Sequence, residues 1–152
     1  EFMSVEYPEI MHLGIISIED LVEKIEQSDV VVIGPGLGSS PWSAAKYNTV
    51  LMSTKNMVLD ADALNQLAKA PQQRNHWILT PHPGEAARLL DTSVDVIQRD
   101  RLAAIKKLHQ KYGGVIVLKG AGTLVINQTG DIKKCLAGNP GMASGGMGDL
   151  LA

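Results

Sequence analysis

Aromatic residues are scarce, at 4% of the 152-residue chain, and charge of one sign is lacking. Lysine and arginine number 14 against 16 aspartates and glutamates, for a net charge of -2. Neither property suits nucleic acid: no excess of positive charge drives counterion release, and few rings are available for stacking single-stranded bases. The same balance offers no basic surface to anionic lipid. The single cysteine, Cys135, cannot close an internal disulfide. A reducing, cytoplasmic setting is therefore expected, with the thiol structural rather than nucleophilic. Long apolar runs are missing too. Val30 to Ile33 and Val115 to Leu118 are four residues each, far below the ~20 of a membrane span, and no signal-peptide pattern opens the chain. With 45% hydrophobic and 20% charged residues, the composition is that of one globular domain, which excludes a disordered tail, a collagen-like fibre and a coiled coil.

What is present is an alternation of β-branched runs and helical periodicity. Val30-Val31-Val32-Ile33 has no polar alternation and stops at Gly34, so it reads as a strand buried on both faces. Met57 to Leu59, Trp77 to Leu79 and Val115 to Leu118 read the same way. Ser17 is placed to cap a helix carrying Ile18, Leu21, Val22 and Ile25 on one side. Ser40-Pro41 opens another, since proline in the first position forfeits no needed hydrogen bond. A third is expected from about Asp95 to Tyr112, with Leu102, Ile105 and Leu108 inward and Gly113 as its stop. Strands alternating with helices imply parallel pairing through right-handed crossovers. Thr123 to Ile126 and Ile132 to Leu136 flank a turn and read as a hairpin. Gly145 to Ala152 looks like the beginning of a helix, so the chain is expected to be a piece of a longer domain, lacking amino-terminal and carboxy-terminal parts.

Glycine is the outlier, with 15 residues in clusters, and the clusters follow the strands. In an open α/β sheet that is where ligands bind. Gly34-Pro35-Gly36-Leu37-Gly38-Ser39 can bring bare backbone to an anion or can be a tight strand-to-helix turn; it lacks the dinucleotide spacing. In Thr80-Pro81-His82-Pro83-Gly84-Glu85, His82 can donate to a polar substrate. Glu85 can hold a metal-bound water or simply favour a helix N-terminus. Lys119-Gly120-Ala121-Gly122-Thr123 suits phosphate contact without the Walker spacing, or is a turn into an edge hairpin. Asp62, in Asp60-Ala61-Asp62-Ala63-Leu64-Asn65, is read as an ordinary N-cap or a ligand contact. The strongest signal is Gly138 to Gly148, which holds five glycines in eleven residues and leads directly to Asp149. Unpaired amides at a helix start form an anion hole. A carboxylate beside it needs a task, such as taking the proton of a hydroxyl that attacks a phosphoryl group.

With these loops taken together, the chain resembles the ADP/ATP-dependent NAD(P)H-hydrate dehydratase family, a branch of the ribokinase-like superfamily. The likeness extends from about Val30 to the last residue, and its motifs are Gly34 to Gly38, Leu59 to Asn65, Thr80 to Glu85, Lys119 to Thr123 and Asn139 to Asp149. It implies a three-layer α/β/α fold around a mostly parallel sheet. It also implies repair of hydrated NADH or NADPH (NADHX, NADPHX) at the cost of ADP or ATP. The resemblance assigns Lys119, Gly120, Ala121, Gly122, Thr123, Gly146 and Gly148 to the nucleotide. Gly36 or Gly38, His82 and Asp149 go to the hydrated cofactor, with Asp149 as catalytic base. Magnesium would bridge the phosphates, with Glu85 an outer-shell partner through water, and the complete protein would be a homo-oligomer. The alternative is a related kinase acting on a thiazole or pyrimidine alcohol. Such kinases usually carry asparagine where His82 stands, which favours the dehydratase.

Overall fold

The computed structural model describes residues 13–137. The elements among them are α1 (Ile18–Gln27), β1 (Val30–Ile33), α2 (Pro41–Met52), β2 (Asn56–Leu59), α3 (Ala61–Lys69), β3 (Trp77–Leu79), α4 (Pro83–Leu89), α5 (Val94–Arg99), α6 (Arg101–Tyr112), β4 (Val115–Leu118), β5 (Leu124–Ile126) and β6 (Ile132–Lys134). No helix among the described residues is long and apolar enough to cross a membrane. The six strands form one sheet in chain order. β1 to β4 are parallel, and β5 and β6 add an antiparallel hairpin at the β4 edge.

Local chemistry sets the ends of the elements. Ser17 accepts the Asp20 amide at 3.1 Å while the Asp20 carboxylate accepts that of Ser17 at 3.2 Å, a reciprocal cap that starts α1. Ser40 accepts from the Ser43 amide ahead of Pro41. The long helix expected from Asp95 to Tyr112 is divided. Asp100 accepts the Ala103 amide at 2.9 Å and so starts a second helix at Arg101. That restart leaves Leu102, expected inside, 53% exposed, while Ile105 and Leu108 are fully buried. Gly113 ends α6 with φ +71°.

A second expectation is corrected at β1. Val30 and Val32 are 51% and 50% exposed, so the strand is buried on one face only. The sheet order supplies the reason. Each crossover from β1 to β4 steps to the next strand in the same direction, and right-handed connections of that kind lay their helices on a single face. Ile33, Leu59, Leu79, Ile116 and Leu118 point into the core that those helices cover. Among the described residues the opposite face carries no helix. The burial alternation of β3 and β4 repeats the same one-sidedness.

The core is locked beneath β3. Trp77 is buried, and its indole N–H donates to the Tyr112 carbonyl at 3.1 Å. The Tyr112 hydroxyl donates to the Leu89 carbonyl at 2.7 Å, and burial pushes its phenol up to about 12. These two bonds fasten the end of α6 to β3 and α4. Both lie at the amino ends of β3 and β4, the end of the sheet opposite the glycine-rich loops.

Candidate active site at the carboxyl ends of the strands

The sheet order makes the loops after β1, β2, β3 and β4 neighbours in that sequence. The strongest contact between them spans β3. The Lys119 ammonium, at the end of β4, donates to both carboxylate oxygens of Asp60, at the end of β2, at 2.8 and 3.0 Å. Asp60 is only 1% exposed. A charge so far from water requires a partner, and Lys119 provides it. The backbone repeats the tie, since the Lys119 amide donates to the Pro81 carbonyl at 2.9 Å and the Asp60 amide to Ile33 at 3.1 Å.

This clamp fixes the first glycine loop. A Cβ on Gly34, whose φ is +133°, would lie 1.7 Å from the Asp60 carbonyl oxygen, so the β1 turn passes over Asp60 only as glycine. Further along, the Gly38 amide donates to the Asp62 carboxylate at 2.8 Å. Of the two sequence readings of Asp62, an N-cap or a ligand contact, the N-cap is corrected here. Asp60 occupies the cap position and makes no side-chain cap bond, because its carboxylate is held by Lys119. Asp62, inside the first turn, reaches back to the glycine loop. Its other oxygen accepts from Asn65 at 3.5 Å, and Asn65 accepts from Arg88 at 2.8 Å. A Cβ at Gly36 would meet no neighbour within 4 Å among the described residues.

The loop after β3 is organised by its own cap. His82 Nδ1 accepts the Gly84 amide at 2.9 Å, which leaves the ring proton on Nε2, 3.4 Å from a Glu85 oxygen. The other Glu85 oxygen accepts the His82 amide at 2.7 Å. Of the two readings of Glu85, this geometry is that of the helix N-terminus. The His82 side chain is half exposed and Glu85 is buried. No group of three or more His, Cys, Asp or Glu suited to a metal ion occurs among the described residues.

Gly36, Gly38, His82, Glu85 and Lys119 to Thr123 therefore share one end of the sheet. Gly146, Gly148 and Asp149 lie outside the described residues. Sequence reasoning missed Asp60 as the partner of Lys119. The available signal was an acidic residue directly after one buried strand and a lysine directly after another.

A mostly parallel sheet with glycine-rich loops gathered at its carboxyl ends makes this an α/β protein. It superposes on a ribokinase-like superfamily protein of Enterococcus faecalis with a TM-score of 0.83 at 30% identity, over 98% of this chain and 53% of that one. The NAD(P)H-hydrate dehydratase family matches residues 2–152, and the chain belongs to that family. It is similar to the bifunctional NAD(P)H-hydrate repair enzyme of Coxiella burnetii, with 53% identity over 145 residues, covering 95% of this chain and 30% of that one. To the ADP-dependent (S)-NAD(P)H-hydrate dehydratase of Neisseria meningitidis it is 40% identical, over 95% of this chain and 50% of the other. Among solved structures, the ADP/ATP-dependent NAD(P)H-hydrate dehydratase of Bacillus subtilis, co-crystallised with ATP/Mg2+ and soaked with CoA, superposes with a TM-score of 0.78 at 29% identity. That match covers 99% of this chain and 56% of the Bacillus chain. The chain thus spans about a third to a half of the length of the curated relatives it matches.

Proposed function

We propose that this chain carries the nucleotide-binding and substrate-binding loops of an enzyme that dehydrates NADHX or NADPHX to NADH or NADPH with ADP or ATP as phosphoryl donor. The observation that carries this reading is the Asp60–Lys119 clamp, which ties the loop after β2 to the glycine loop after β4 across β3 at one end of the sheet. The names of the relatives support it.

The chemistry follows from the leaving group. Hydroxide leaves poorly, so the ring hydroxyl is first phosphorylated. Asp149 takes its proton as the oxygen attacks the terminal phosphoryl group, and AMP or ADP departs. Electron donation from the ring nitrogen then breaks the carbon–oxygen bond, inorganic phosphate leaves, and loss of a ring proton completes the dihydronicotinamide. Phosphoryl transfer of this kind asks the protein mainly for positioning and charge stabilisation. Gly36, Gly38 and His82 would line the hydrated ring. Gly120 to Thr123, Gly146 and Gly148 would take the nucleotide through backbone amides. Lys119 would serve the nucleotide by holding this loop in place, since its ammonium is turned to Asp60 and its amide to the Pro81 carbonyl.

Magnesium would enter as part of the nucleotide complex and neutralise phosphate charge. Glu85 would be its outer-shell partner through water, its carboxylate anchored at the start of α4 by the His82 amide. A cytoplasmic setting and a homo-oligomeric complete protein go with this reading. Incubation with hydrated NADH and ADP is expected to restore dihydronicotinamide absorbance. No recovery, together with phosphorylation of a thiazole or pyrimidine alcohol, would replace this reading with a kinase.

A further inference from the structure

The end of β4 has an unusual backbone. In an extended strand, successive carbonyls point in opposite directions. Here two consecutive carbonyls converge on one side chain. The Arg101 guanidinium, projecting from the first turn of α6, donates from Nη2 to the Leu118 carbonyl at 3.0 Å and to that of Lys119 at 3.4 Å. Its Nη1 is held by Gln98 at 3.2 Å. Directly after them comes Gly120, where φ is +138° and a Cβ would stand 2.8 Å from Nη1.

Two aligned carbonyl dipoles repel each other, and a cation placed between them offsets that repulsion. Peptide planarity supplies the consequence. With no cis peptide bonds among the described residues, each carbonyl aimed at Arg101 sends the following N–H the other way. The Lys119 amide accordingly donates to Pro81 across the gap to β3. The Gly120 amide is turned to the side opposite the guanidinium, with no acceptor among the described residues. With the Lys119 amide engaged by Pro81, the Gly120 amide is the one of the two left to donate to a ligand.

We propose that Arg101 is a positioning residue for the nucleotide loop: by gathering the Leu118 and Lys119 carbonyls, it turns the Gly120 amide toward the phosphate-bearing ligand. The side chain acts through the backbone and from behind the loop. A planar fork suits two adjacent carbonyls better than the point charge of lysine. This inference rests on the assignment of Lys119 to Thr123 to ADP or ATP.

The test compares wild type with Arg101→Met, Arg101→Gln and Arg101→Lys, first without any ligand. Hydrogen exchange is expected to quicken about tenfold or more at the amides of residues 120–123 in Arg101→Met, with the amides of β3 and the second half of α6 unchanged. Arg101→Gln and Arg101→Lys should lie between Met and wild type, and they stand in if Arg101→Met fails to fold. In the dehydration assay, the KM for ADP should rise about tenfold while the KM for the hydrated cofactor stays within about twofold. Unchanged exchange at residues 120–123 in all three variants overturns the inference whatever the substrate proves to be. So does a loss of thermal stability with both KM values moving in parallel. Faster loop exchange in a protein whose wild type neither binds ADP nor restores NADH would uphold the positioning role and count against the proposed reaction.

Discussion

Lys119→Met is expected to lower the free energy of unfolding by about 3–5 kcal/mol, the cost of leaving a buried charge without its partner. Equilibrium urea denaturation measures it. The magnitude follows from the asymmetry of the pair. Asp60 is 1% exposed and has no other side-chain partner among the described residues. Asp60→Asn should cost less, because the Lys119 side chain, at 17% exposure, retains access to water. The double variant Asp60→Asn, Lys119→Met should recover part of the loss, since no uncompensated charge stays buried. If Lys119 were instead a solvent-facing phosphate ligand, its removal would cost about 1 kcal/mol or less and would weaken only nucleotide binding. That pattern would remove the clamp from this account.

The second large effect is kinetic. Asp149→Asn should reduce turnover of the hydrated cofactor by about 10²–10⁴-fold, the usual contribution of a positioned general base. ADP affinity should hold or improve slightly, because the amide keeps the shape of the carboxylate and removes a negative charge beside the phosphates. Calorimetric titration with ADP and magnesium, read beside the rate, separates the roles. Equal losses in affinity and rate would make Asp149 a structural residue of the loop, and an unchanged rate would take it out of the chemistry.

The α/β architecture was legible because four short apolar runs each end at a loop residue suited to a strand-to-helix turn or a ligand contact, and that pattern survives folding intact. The Ser17 and Ser40 caps and the β5–β6 hairpin were legible for the same reason: their signals are local. What the sequence concealed depends on neighbours distant along the chain. Four valines and isoleucines in a row look alike whether one face of a strand is covered or both, so the exposure of Val30 and Val32 could be read only from the order of the strands. Asp60 and Lys119 are 59 residues apart and meet only because β2 and β4 flank β3. Asp62 could not be told from a cap without knowing that Lys119 already engages Asp60 at the cap position. Asp100 is the reverse case: its cap is local, yet the continuous charge pattern on either side hid the break between α5 and α6.

All of the chemistry proposed here turns on the fate of one oxygen atom. With the ring hydroxyl of hydrated NADH labelled with heavy oxygen, phosphorylation before elimination carries that label into the inorganic phosphate released alongside NADH, one label per phosphate formed. Mass spectrometry of the phosphate reads it directly. Label found in water, with unlabelled phosphate arising from separate nucleotide hydrolysis, would contradict the account.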